Sequence, residues 1–220
     1  ALEVNVPDLP TDAATAGGKA TNKDYSGVGH RHGSQGQNFH LTRYVRKIDA
    51  ALRPILMGSD LPLILATSKP LETLFRSISV IPALPNIIVG NPDRLTESEL
   101  ASAARPVLDA HYAEQIKEFH QLFDARTSQN RTTTDISDAA RLATFGGIDR
   151  LMVDIDGVVD GFIDDETGEV TFAKEGDADN YGIVDEITGR ALRSGAKVMA
   201  VRKADIPGGH DLAVIARYPI

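Results

Sequence analysis

The sequence predicts an α/β (α+β) chain folded as two small domains, on three observations. The 220 residues are 42% hydrophobic and 25% charged, ordinary values that exclude wholesale disorder and collagen-like or coiled-coil rods. Helical periodicity alternates with short apolar runs bounded by turn residues. The charge also changes character part-way. Residues 1–108 hold 11 Lys and Arg against 10 Asp and Glu, whereas residues 109–220 hold 12 against 21. The expected domains are therefore 1–108 and 109–220.

The first domain opens on Ala1 and a strand-like run, Leu2–Val6. No basic-then-apolar leader precedes it, and the start reads as the continuation of a longer chain. Residues 7–37 have no hydrophobic periodicity and are rich in Gly, Asp, Ser, Thr, Gln and His. Such a stretch predicts either a functional loop or a disordered segment, with a mobile tip. Asn38 is a good N-cap for a helix reaching about residue 56, with Leu41, Tyr44, Val45, Ile48, Leu52 and Ile55 inward. Arg43, Arg46, Lys47 and Arg53 take its opposite face, and Pro54 should perturb the last turn. Leu61–Ala66 reads as a buried strand, and Leu71, Leu74, Phe75 and Ile78 as a short helix after Pro70. Leu84–Val89 is a second extended run, ended by Gly90-Asn91-Pro92. Thr96 with Glu99 forms a capping-box pair that opens a helix ending or kinking near Pro106.

The second domain should start with a helix over about 110–125, with Ile116, Phe119, Leu122 and Phe123 inward. The polar link 127–134 follows, then a helix 135–145 capped by Thr134 or Asp135, and a strand 150–155. A hairpin over 158–172 turns around Asp164–Gly168. A helix over 180–194 stops at Gly195, and strands 197–202 and 212–217 flank the turn Pro207-Gly208-Gly209. This order predicts a small sandwich with a largely buried central sheet.

Composition excludes several functions. The chain has no Cys, so disulfides, zinc ribbons and thiol chemistry are out, and a cytoplasmic location is compatible. No apolar run is long enough to span a membrane. Residues 19–53 carry seven cations against Asp24 and Asp49, so a polyanion would meet this surface, while the acidic second domain would repel it.

Other motifs are weaker. Leu151–Val159, with Asp154 and Asp156, resembles the nucleophile motif of haloacid-dehalogenase-like phosphatases. The chain after it is too short for that fold and leads into a hairpin, so carboxylates solvating a strand end are the better reading. The acidic positions 154–169 miss the EF-hand spacing. His30 and His32 lack a third ligand nearby. No metal and no cofactor are expected.

Several short motifs in a fixed order carry a family resemblance. Gly33–Leu56 followed by Leu61–Ala66 resembles the central domain of archaeo-eukaryotic class-1 peptide chain release factors and their Pelota-like relatives. There, a mobile Gly-Gly-Gln loop precedes a basic helix and a buried strand; Arg43-Tyr44-Val45-Arg46-Lys47 stands on that helix. Tyr112–Val153, including Gly146-Gly147-Ile148, and Asp185–Ile220 are similar to the family's C-terminal domain. Arg53-Pro54, Leu61-Pro62-Leu63, Gly90-Asn91-Pro92-Asp93 and Pro207-Gly208-Gly209 point to the bacterial branch, the bacterial archaeo-eukaryotic release factor-like proteins.

The resemblance implies an RNase H-like first domain and an α-β-α sandwich like that of kink-turn RNA-binding ribosomal proteins. It implies a ribosome-associated, cytoplasmic protein of translation termination, rescue or regulation. The ribosome or tRNA would be met through residues 25–56, with Arg31, Arg43, Arg46 and Lys47 on phosphates and Gly33, Ser34, Gln35, Gly36 and Gln37 as the tip. Gln35 would be the catalytic residue if hydrolysis survives. The loop reads Gly33-Ser34-Gln35 instead of Gly-Gly-Gln, and Ser34 restricts the positive-φ backbone a second Gly allows. Release-factor-like action without standard peptide release is the first reading. A peptidyl-tRNA hydrolase using Gln35 and a non-catalytic protein-interaction scaffold are the alternatives. The acidic domain 109–220 would face a protein partner.

Overall fold

The computed structural model describes residues 32–59, 61–173 and 181–220, with residues 32–39 and 181 described as backbone only. The run Leu2–Val6, most of the loop 7–37, and His30 and Arg31 lie outside the described residues. The chain divides into two compact units after Tyr112.

The first unit begins with α1 (His32–Leu56). Its start corrects the expected cap at Asn38: the backbone is already helical through Gly33–Gln37. Once a helix is nucleated, each added residue gains a hydrogen bond, and Gln is a good helix former. Val45 is buried and Leu41, Tyr44, Ile48 and Leu52 are half-buried, while Ile55, next to Pro54, is exposed rather than inward.

The expected strand over 61–66 is mostly absent. Only β1 (Ala66–Thr67) pairs, in parallel, with β2 (Ile88–Val89), and Leu61 is 81% exposed. Pro62 and Pro85 explain this, since a residue without an N–H cannot join a central ladder. Isolated bonds tie the two segments instead: Leu84 N–H donates to the Leu63 carbonyl at 2.7 Å and Ile88 N–H to that of Leu65 at 2.9 Å. Between them, α2 (Lys69–Ile78) carries Pro70 in its first turn and buries Phe75. Arg76 fixes the return segment by donating to the carbonyls of Ala83, Leu84 and Pro85.

The capping box forms as the sequence suggests. Thr96 N–H donates to Glu99 Oε2 at 2.8 Å and Glu99 N–H to Thr96 Oγ1 at 3.3 Å. The Thr96 N–H first, and then the Thr96 hydroxyl, which donates to the same Oε2 at 2.8 Å, hold the Glu99 carboxyl below its usual range. The helix they open, α3 (Glu97–Thr127), is one element rather than two, running through Pro106. Proline removes one bond and leaves the rest of the ladder intact, and its flanks, Ala101–Arg105 and Val107–Ala110, favour helix.

The second unit is a three-layer sandwich. Its sheet has the order β3 (Thr132–Thr133), β9 (Leu212–Ala216), β4 (Ile148–Asp154), β8 (Lys197–Val201). β9 runs antiparallel to both neighbours, and β8 is parallel to β4. Every residue of β9 is buried. Its alternation separates two cores: Leu212, Val214 and Ala216 face α4 (Ile136–Thr144) and α5 (Ile183–Arg193), with Ala140, Ile187 and Ala191 among their companions. Ala213 and Ile215 face Phe119 on α3, with Met152 beside them.

Local signals set the boundaries. Asp135 caps α4, its Oδ1 accepting from Asp138 N–H at 3.0 Å. Gly195, at φ 78°, ends α5 where Ala196 N–H returns to the Ala191 carbonyl. A separate three-stranded sheet, β6 (Val170–Phe172), β5 (Asp160–Ile163), β7 (Tyr181–Gly182), contains the expected hairpin. Among the described residues, no β-pairing joins the first unit's sheet to those of the second.

Candidate nucleic-acid interface

The outer face of α1 is basic because its cations follow helical spacing. Arg43, Arg46 and Lys47 recur at three and four residues and are exposed, while Leu41, Val45, Ile48 and Leu52 turn inward. Among the described residues, none of the three cations makes a hydrogen bond or ion pair. Their charge is thus free for a ligand. Arg53, the fourth cation, is engaged: its Nε donates to Asp49 Oδ2 at 2.8 Å and its other nitrogen lies 2.6 Å from the same oxygen.

Asp49 is the residue the sequence reading undervalued. It sits on the inward face and is only 3% exposed. Its second oxygen accepts from Ser79 Oγ at 2.6 Å, across 30 positions of sequence. The Ser79 hydroxyl is the main reason its carboxyl lies below the ordinary range; burial opposes this and Arg53 adds to it. The pair fastens α1 to the end of α2, so Asp49 positions the basic face. The signal in the sequence was an Asp at i+4 from Val45 and i−4 from Arg53.

The inner face completes the arrangement. Tyr44, Ile48 and Leu52 line an apolar cleft of about 170 Å³ with Leu65, Leu71 and Phe75. The expected tip residues Gly33, Ser34, Gln35, Gly36 and Gln37 occupy the first turns of α1. At 1.5 Å per residue, the backbone of Gln35 lies roughly 12 Å along the axis from Arg43 and roughly 16 Å from Arg46.

The acidic motifs serve turns. Asp154 ends β4 and its Oδ1 accepts from Asp156 N–H at 3.2 Å. The chain then enters β5, the first strand of the hairpin. Asp164 Oδ1 accepts from the Thr167 N–H, the Thr167 hydroxyl and the Glu166 N–H, closing the hairpin. These bonds, led by the Thr167 N–H, hold its carboxyl below the usual range. Among the described residues, no three His, Asp or Glu side chains converge as a metal site would require.

Comparison with solved structures shows what the fold resembles. Ribosome-bound archaeal Pelota is similar over 82% of this chain and 50% of its own, with a TM-score of 0.54 and 9% identity. The C-terminal domain of the peptide chain release factor from Methanosarcina mazei is similar over 58% of this chain and 98% of that domain, with 19% identity and a TM-score of 0.46. This chain thus spans about half the length of the Pelota chain it matches. The fold of this chain is similar to that of archaeal Pelota.

The family assignment comes from sequence. The chain belongs to bacterial archaeo-eukaryotic release factor family 11, whose family model matches residues 1–114. No curated protein matches the chain. Among the described residues, no helix is long and apolar enough to cross a membrane.

Proposed function

We propose that this chain acts in translation as a ribosome-associated, release-factor-like protein that engages tRNA or rRNA through residues 25–56, without standard Gly-Gly-Gln peptide release. The carrying observation is the exposed, unpaired stripe Arg43, Arg46 and Lys47 on a helix fastened by Asp49. Family membership and the Pelota fold support the ribosomal setting. The helical backbone at Gly33-Ser34-Gln35 supports a role without release, because a catalytic amide on a loop needs freedom that an α-helical backbone removes. In this reading residues 1–108 face RNA and residues 109–220 face a protein partner.

Ribosome co-sedimentation at several salt concentrations tests it. Phosphate contacts release counterions, so association falls steeply with salt, and each lost contact lowers the log–log slope by about 0.7–0.9. Arg43→Glu with Arg46→Glu should weaken association at least about tenfold at moderate salt and flatten that slope by roughly 2. Arg126→Glu and Arg217→Glu, outside the stripe, should sediment like the parent. Wild-type sedimentation of the Arg43/Arg46 variant, or none by the parent, refutes the proposal.

A further inference from the structure

The outer edge of β8 combines two features that occur together at no other described strand of the second unit. The first is an open ladder. Strand β8 pairs with β4 alone, and Ile155 N–H donates to the Val201 carbonyl on that side at 2.8 Å. Main-chain groups alternate sides along a strand, so Lys197, Met199 and Val201 face β4 whereas Val198 and Ala200 turn their N–H and C=O outward. No described group bonds those outward atoms. The strand has no proline, no bulge against β4 and no inward charge, and its only charged residue, Lys197, stands at its start.

The second feature is charge. The unit is strongly acidic, and most of its cations are held. Lys117, Arg141, Arg190, Arg193 and Lys203 make ion pairs, and Arg126, Arg131 and Arg217 make hydrogen bonds. Among its described residues, the cations left without either are Arg150, Lys197 and Arg202. Two flank this edge, Lys197 opening β8 and Arg202 following its last residue, and the third, Arg150, lies one strand further in on β4 as the register partner of Lys197.

We propose that the edge of β8 receives an extended, acidic segment of a partner protein as an added strand. Val198 and Ala200 supply the main-chain hydrogen bonds, and Arg150, Lys197 and Arg202 meet carboxylates at the segment's two ends. The mode is strand addition, in which the ladder gives affinity and flanking side chains select the partner. A second copy of this chain fits worse. Antiparallel self-pairing about Met199 would place Lys197 of one copy opposite Val201 of the other, next to its Arg202, and so gather like charges at each end of the ladder. Nucleic acid would use the cations but leave the outward amides and carbonyls unpaired. The proposal gives chemistry to the protein-facing role of residues 109–220, on which it rests, and it is independent of the ribosomal role.

The test uses the whole chain and a labelled peptide of about nine residues, alternating valine and threonine with two glutamates at each end. Binding is read by fluorescence anisotropy and by amide hydrogen exchange. The peptide should bind and should slow exchange at Val198 and Ala200 at least about tenfold, while Met199, already bonded to β4, changes little. Ala200→Pro removes one outward N–H and no bond to β4, and should abolish binding with an unchanged circular dichroism spectrum. Lys197→Glu with Arg202→Glu should weaken binding about tenfold, and replacing the peptide's glutamates by glutamines should do the same. If Ala200→Pro unfolds the chain, the exchange pattern in the parent decides. Absence of binding, or binding without protection at Val198 and Ala200, overturns the proposal. So does a uridine oligonucleotide that binds more tightly than the peptide and is lost on the double charge reversal but not in Ala200→Pro. None of these outcomes alters ribosome co-sedimentation, so failure here is distinguishable from failure of the proposed function.

Discussion

Asp49→Ala tests whether the basic helix is held by a buried carboxylate or merely by its apolar face. The side chain is 5% exposed and accepts from Ser79 Oγ at 2.6 Å and from Arg53 Nε at 2.8 Å. A hydrogen bond to a charged group is worth about 1.5–3 kcal/mol, and the Ser79 bond is the enclosed one. The Arg53 side chain is 45% exposed, so solvent discounts that ion pair to about 0–1 kcal/mol. The expected loss is therefore about 2–4 kcal/mol, measured by urea unfolding followed by circular dichroism. Coupling to Ser79→Ala in a double-mutant cycle should be about 1–2 kcal/mol.

The pH dependence follows from the same site. The folded carboxyl lies below its unfolded value of 3.8, so its stabilisation is complete above that value. It is lost as pH falls through the lower folded value. The parent should therefore lose more stability than Asp49→Asn between pH 5 and strongly acidic conditions. An Asp49→Ala loss under about 0.5 kcal/mol, or additivity with Ser79→Ala, would refute the assignment.

Two further predictions concern the second unit. Arg190 is 9% exposed and its guanidinium donates to Glu186, Thr144 Oγ1, Asp165 and the carbonyls of Ile163 and Asp164. Arg190→Met keeps the aliphatic bulk but strands buried acceptors, and thermal unfolding should show a loss of about 2–3 kcal/mol; a loss below about 1 kcal/mol counts against it. At Gly161 an added Cβ would lie 2.4 Å from the Thr171 carbonyl oxygen and 2.5 Å from Ile183 Cδ1. Gly161→Ala should therefore cost about 1–3 kcal/mol in the same assay, and an unchanged midpoint would mean the hairpin shifts freely.

Legibility in the sequence followed locality. The Thr96–Glu99 box, the Asp135 cap, the stop at Gly195 and the turn at Asp164 were all readable, because each is a contact within a few residues. The run 61–66 was misread because hydrophobicity outweighed Pro62, and a ladder needs N–H groups as well as apolar side chains. The continuity of α3 through Pro106 was missed for the opposite reason, a breaker being weighed above its helix-forming flanks. At the candidate interface, Arg43, Arg46 and Lys47 could be assigned to one face from spacing alone. The Asp49–Ser79 bond and the Arg190 cluster join distant positions, so periodicity carries no trace of them.

The early start of α1 sharpens the question of Gln35. If the first turns contribute to RNA engagement, charge is the means, and charge resides on Arg43, Arg46 and Lys47, roughly two to three turns beyond Gln35 along the helix. Gln35 carries none. Gln35→Ala also replaces one good helix former by the best one, so α1 should gain rather than lose helical propensity. Its association with ribosomes should therefore stay within about twofold of the parent, with the same salt dependence. A peptide-release assay on loaded ribosomes gives the complementary measurement, in which parent and Gln35→Ala should both fail to release. Release by the parent that vanishes in Gln35→Ala would establish the hydrolase and remove the basis for a role without release. A salt slope flattened by Gln35→Ala would instead mean that the variant disturbs the placement of the cations, and the charge argument for α1 would need to be rebuilt from its first turn.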